Sequence, residues 1–286
     1  MANSIVSRKP PGAATRSRSA LLRKLRRAWA ITGATVAVLF VGYQAIASRA
    51  SGPAPAALES TPRVRVTRHA THWRFEPATG TVRDTGLLFL PGSVVDPAAY
   101  APLAQAVADR GYPVEIVLIP FRVALTEGHR AAVVERARAV LSDARQQGTG
   151  APSKWVVAGH SLGGALSARF ARDHADLVAG LVLIGTSHPR EYSLAPLTAP
   201  VTKVYATNDG LASPGEVRRY AVNLPPQTRW VEIMGGNHSQ FGWYGFQVGD
   251  HKATIGHAEQ QAQLAEAVLS ALEQAAAKAE ASSPSR

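Results

Sequence analysis

The stretch that most constrains this chain is an apolar run, Lys154-Trp155-Val156-Val157-Ala158, followed at once by Gly159-His160-Ser161-Leu162-Gly163. The run has strand length and the residues beyond it read as a helix, so the backbone must pass from strand to helix through a sharp turn. The bare G-x-S-x-G pattern carries little weight, since chance supplies it about 0.14 times in a chain with this content of Gly and Ser. Its setting carries more. A sharp strand-to-helix turn lifts a serine hydroxyl clear of the sheet edge. Gly159 and Gly163 are then needed because the turn packs against the next helix without room for Cβ atoms. The plain alternative is a glycine-rich turn with an ordinary serine, and two further signals weigh against it.

A serine hydroxyl is a poor nucleophile at neutral pH, so it needs a base, and the base needs an orienting acid. On a strand–turn–helix scaffold the chain order is Ser, acid, His. The run Val201–Ala206 ends in Thr207-Asn208-Asp209-Gly210, which puts an acid just past a strand end. The run Arg229–Met234 ends in Gly235-Gly236-Asn237-His238. Both Asp209 and His238 would emerge from loops at strand ends, the side of an open α/β sheet where ligands bind. Asp173 and Asp176 compete with Asp209 but sit in or after the helix that follows Ser161, and Asn-Asp-Gly is also plain turn chemistry.

Among nine histidines, His238 stands apart through its place after a strand in the right chain order. His160 neighbours the nucleophile position, and His174 reads as a helix end. His188, His251 and His257 lie in loops or near a helix start. His69 and His72 have a loose H-x-x-H spacing with no third ligand, so no metal or cofactor site is expected.

Further apolar runs, at Leu87–Leu90, Val114–Ile119, Leu181–Ile184 and those already named, suit parallel strands buried on both faces. Helical stretches alternate with them near Pro97–Arg110, Gly128–Gln147, Leu162–Asp173 and Pro214–Asn223, with a last one over Ala258–Lys278. Arg63–His69 and His72–Phe75 would form an antiparallel hairpin at the edge. The pattern predicts an α/β fold, one doubly wound domain with a mostly parallel sheet over residues 63–279.

Three blocks, Leu88-Phe89-Leu90-Pro91-Gly92-Ser93, Val157–Gly164 and Gly235-Gly236-Asn237-His238-Ser239-Gln240-Phe241-Gly242, resemble those of α/β-hydrolases, specifically the small lidless group similar to dienelactone hydrolase. The resemblance implies Ser161 as nucleophile, Asp209 as acid and His238 as base. It also implies an oxyanion hole from the backbone N–H of Leu162 and from an N–H just after Gly92, that of Ser93. Pro91 stands where the family usually has His, which leaves the choice between Ser93 and Val94 open. Related hydrolases often insert a helical lid between the strands ending at Ile184 and starting at Val201. Here only the 16 residues Gly185–Pro200 are available, so an open, shallow site for small esters is expected. Candidate walls are Val94, Tyr100, Phe121, Arg122, His188, Phe241 and Tyr244.

The amino terminus is separate. Of the formal net charge of +11, residues 1–28 supply eight basic side chains and no acid. The rest is nearly balanced, so no nucleic-acid footprint is expected on the fold. Ala28–Ser48 are 21 uncharged, moderately apolar residues. As a helix they would extend about 30 Å, one bilayer crossing. The chain is thus expected as a basic tail (1–27), an anchor (28–48), a linker (49–62), the sheet domain (63–279) and a disordered tail (280–286). The basic asymmetry predicts a cytoplasmic amino terminus with the sheet domain outside. A signal peptide cleaved near Ala47 is the rival. Together these features describe a membrane-anchored serine hydrolase acting on ester or thioester bonds of small molecules. Acyl transfer or perhydrolysis on the same triad, or a silent binding module, are the alternatives.

Overall fold

The computed structural model describes residues 13–146 and 151–281. They divide into two compact units, Met1–Ile46 and Ala47–Arg286. Residues 1–12 of the expected basic tail and 282–286 of the expected carboxy-terminal tail lie outside the described residues.

The first unit is helix α1 (Ala13–Ala47). It begins well inside the segment read as a tail, because no Gly or Pro interrupts the chain between Ala13 and Thr32 and most of these residues favour helix. Its part Leu22–Ala47 is long and apolar enough to cross a membrane and stands exposed, a description that a signal sequence near an amino terminus also meets.

The second unit is built on a sheet of eight strands among the described residues: β1 (Val64–Arg68), β2 (His72–Pro77), β3 (Thr85–Leu90), β4 (Val114–Val117), β5 (Lys154–His160), β6 (Val178–Ile184), β7 (Val201–Ala206) and β8 (Arg229–Ile233). Their order is β1-β2-β4-β3-β5-β6-β7-β8. β1 and β2 form the expected antiparallel hairpin, and β2 joins β4 antiparallel. Every other pairing is parallel. The β2–β4 register places Arg74 opposite Glu115, and their buried side chains close an ion pair at 2.5 Å.

All six residues of β3 and of β7 are buried, as continuous apolar runs between two helical layers must be. Side chains alternate across the sheet. Leu87 and Phe89 of β3 point into a core with α2 (Ala101–Asp109) and α6 (His257–Ala281), while Leu88 and Leu90 point into another with α3 (Glu127–Gln146) and α4 (Leu162–Asp173). A short helix α5 (Pro214–Arg219) follows β7. The helix α6 runs to Ala281, so the start of the expected tail is helical too.

The expected linker, 49–62, is seated on the sheet unit rather than free. Ala50 bridges Tyr244, Ser51 N–H donates to Trp243 O at 2.8 Å, and Gly245 N–H donates to Ala47 O at 2.6 Å. Ala54 and Ala57 are buried. Small side chains let this segment pack closely, which its Gly/Pro/Ala composition disguises as linker. The ends of β3, β5, β7 and β8 all open on one edge, where the loops bearing Ser93, Ser161, Asp209 and His238 gather.

Candidate active site

β5 ends at His160 and α4 starts at Leu162, leaving Ser161 alone in the turn with φ 54° and ψ −117°. A non-glycine residue rarely holds a positive φ, and the surroundings must impose it. Ser161 N–H donates to Ile184 O at 2.9 Å and Ser161 O accepts from Ala165 N–H at 3.1 Å, which fix the turn from both sides. A Cβ on Gly159 would overlap the backbone of Gly163, one on Gly163 would overlap Leu90 O, and one on Gly164 would come within 2.6 Å of Thr186 Cγ2. The glycine requirement read from the sequence therefore has a physical basis. Although Ser161 occupies the N-cap position, its hydroxyl caps no helix N–H.

Asp209 is 1% exposed. Its Oδ1 accepts the N–H groups of Leu211 (2.8 Å) and Ala212 (2.6 Å), which aim Oδ2 at His238 Nδ1, 2.9 Å away. His238 is equally buried, and its Nε2 makes no hydrogen bond among the described residues. The structure thus joins Asp209 to His238, the expected acid and base, whereas Ser161 and His238 share a cavity without a hydrogen bond between them. Catalytic hydrogen bonds often close only when substrate is bound.

Beneath His238 lies His160, ring centroids 4.5 Å apart. Burial, then the neighbouring His238, holds the His160 imidazole well below its usual pKa and therefore neutral. Its Nδ1 meets Tyr100 Oη at 2.9 Å, and that oxygen accepts Gly92 N–H at 3.1 Å. Burial pushes the Tyr100 hydroxyl above its usual range. The loop after β3 is thereby tied to the serine turn. In that loop Val94 N–H is engaged by Arg122 O at 2.6 Å, while no acceptor within the described residues takes the N–H of Ser93 or of Leu162.

Residues 86–262 match the model of the alpha/beta hydrolase family. The chain belongs to that family. A search of curated proteins returns no match.

In this α/β-hydrolase a cavity of ≈ 390 Å³ is lined by Ser161, Leu162 and His238 together with the loop after β6. That loop, Gly185–Pro200, contains no helix or strand, and it serves as a wall. Of the candidate wall residues only His188 lines the cavity. Tyr100, Phe241 and Tyr244 are buried instead, because rings are needed to fill the space around His160. Phe121 is 96% exposed, Val94 stands partly exposed in the β3 loop, and Arg122 pairs with Asp96 at 2.9 Å. Ser93 is not among the lining residues either. Burial and the nearby charges of Arg190 and Lys203 lower the His188 pKa to about 4. Lys203, buried in β7, donates from Nζ to His188 O at 2.6 Å, and burial lowers its own pKa to about 7.

Sequence reasoning missed two groups. Asp250 accepts from Gly210, His238 and His251 N–H on Oδ1, and from Ser239 N–H and Oγ on Oδ2, so one buried carboxylate clamps the loop of Asp209 to the loop of His238. Nothing in Gly249-Asp250-His251 distinguishes it from a surface turn. The second group is the charged lining, with Arg130, Arg169, Arg172 and Arg190 set against Glu127 and Glu191. On α3 and α4 such residues read as ordinary solvent-facing positions. Among the described residues no three His, Asp or Glu gather as metal ligands, and His69 and His72 stack on each other at 4.4 Å.

Proposed function

We propose that the chain is a serine hydrolase of small carboxylic esters or thioesters, acting through Ser161, His238 and Asp209. The observation that carries this reading is the strained, glycine-hemmed Ser161 sharing a cavity with an imidazole whose other nitrogen is fixed by a buried carboxylate. Ser161 Oγ adds to the acyl carbon while His238 Nε2 takes its proton. His238 then returns that proton to the leaving alcohol or thiol as its bond to the acyl carbon breaks. Water attacks the acyl-enzyme, giving its proton to His238, and the acid leaves as Ser161 regains a hydrogen.

Negative charge on the carbonyl oxygen would fall to the N–H groups of Leu162 and Ser93. Each such donor is worth about 3 kcal/mol in the barrier. Asp209 keeps Nδ1 protonated and the ring oriented. The lidless wall at 185–200 supports kinship with the dienelactone-hydrolase-like group and a preference for compact substrates. On this reading residues 28–48 anchor the enzyme, with the amino terminus cytoplasmic and the sheet domain, 63–279, outside.

The test is labelling of the full chain, purified in nonionic detergent, with a fluorophosphonate probe beside Ser161→Ala and His238→Ala. Labelling that disappears in the first variant and slows in the second is the expected result. A folded wild type that does not label would overturn the reading.

A further inference from the structure

Pockets for neutral ligands are walled mostly by apolar side chains. This cavity is not. Four arginines and two glutamates stand in its wall beside Ser161 and His238. Two of the arginines are already neutralised: Arg169 pairs with Glu127 at 2.5 Å and Asp173 at 3.4 Å, and Arg172 pairs with Asp173 at 2.6 Å. Arg172 also lies over the Tyr192 ring, 4.5 Å from its centroid. The other two are not neutralised in this way. Arg130 of α3 spends its Nε on Ala124 O at 3.3 Å and makes no ion pair among the described residues. Arg190 binds the buried Ser187 Oγ through Nε at 2.7 Å and through Nη2, and its nearest carboxylate, Glu216, is 3.8 Å away.

Arg130 and Arg190 line the same cavity as His188. That imidazole is neutral, so it adds no charge of its own. Among the lining residues four arginines outnumber two glutamates, and of these two Glu127 is already paired with Arg169. Ser187 and the Tyr220 ring, 5.7 Å from the Arg190 guanidinium, hold Arg190 in place, and its Nη1 makes no hydrogen bond or ion pair among the described residues. Two guanidinium groups in one cavity wall, one of them held in place, can donate to the oxygens of a carboxylate or a phosphate.

We propose that Arg130 and Arg190 form an oxyanion-binding subsite, so that the molecule handled at Ser161 carries a carboxylate or phosphate besides its scissile bond. The proposal rests on the hydrolase reading for the reaction, but not for the binding, and the two are tested apart. Calorimetric titration of the full chain in nonionic detergent with pentanoate, butyl phosphate and the neutral pentanamide reads binding directly. At least one anion is expected to bind tenfold or more tighter than the amide, with affinity falling as salt is added. Arg130→Gln and Arg190→Gln should each weaken it about tenfold, while Arg138→Gln, on the exposed side of α3, should not. The tighter anion identifies the group as carboxylate or phosphate. Equal affinity for anion and amide, no anion binding, or anion binding indifferent to both variants would overturn the proposal. Where the enzyme also labels at Ser161, monoethyl adipate should exceed diethyl adipate in kcat/KM, and that ratio should fall at least tenfold in either variant. Anion binding without labelling would leave the subsite standing and remove the hydrolase.

Discussion

Single residues decide how the site is held. Asp250 never needs to touch substrate to matter, because its two oxygens collect five donors, four of them from the loops that carry Asp209 and His238. Asp250→Asn puts an NH₂ group where an acceptor is required, and should destabilise the fold by about 2–3 kcal/mol in urea titrations. On the proposed reaction it should lower kcat more than tenfold with little change in KM, since small misplacement of a base is enough. An unchanged kcat would show that the clamp is structural only. His188 gives the pH dependence. Its folded pKa of about 4 lies below the ordinary 6.5, so between these values the unfolded chain takes up a proton that the folded one refuses. Stability is then complete above pH 6.5 and declines as the pH falls toward 4. The urea midpoint at pH 4.5 should lie below that at pH 7.5, and His188→Gln should narrow the gap; a gap untouched by the substitution would assign it to other groups. The places of Ser161, Asp209 and His238 past the ends of β5, β7 and β8 were legible because each follows an apolar run. Asp250 was not, since its role depends on two loops meeting in space.

At the level of elements, the sheet was largely readable and the cavity was not. Runs such as Val201–Ala206 are apolar because helices cover both faces, and that signal is local. The wall residues Arg130, Arg169 and Arg172 sit on the polar sides of amphipathic helices, where periodicity cannot separate solvent from a cleft. The rings of Tyr100, Phe241 and Tyr244 misled in the opposite direction, since core filling and pocket lining use the same side chains. The edge pairing of β2 with β4 hides another feature. Arg74 and Glu115 face each other in register and are both buried, so removing one leaves an uncompensated charge. Arg74→Met should destabilise by about 3–5 kcal/mol, and adding Glu115→Leu should restore most of that loss. Chemical denaturation of the single and double variants measures both. A double variant no more stable than the single one would mean that the pair specifies the edge register and is not merely tolerated there.

For the molecule as a whole, the charge distribution and the family fold describe two different tasks. Eight basic residues and an apolar helix precede a nearly neutral α/β-hydrolase unit. If that helix anchors the enzyme, alkaline carbonate should leave the full-length chain in the membrane pellet. A shorter, soluble product would instead identify a cleaved leader. The helix α1 ends at Ala47, one residue before the end of the apolar stretch at Ser48. The behaviour of the next residues was not legible, because Gly, Pro and Ala suit close packing as well as they suit a free linker.

That packing has a mechanical consequence. Ala47, Ala50 and Ser51 are bonded to residues 243–245, only a few positions beyond His238, and Tyr244 Oη reaches back to His238 O at 3.4 Å. A linker normally supplies slack, and within this unit residues 47–51 supply none. A pull on the chain at Ala47 would load residues 243–245 and, through Tyr244, the loop that carries His238.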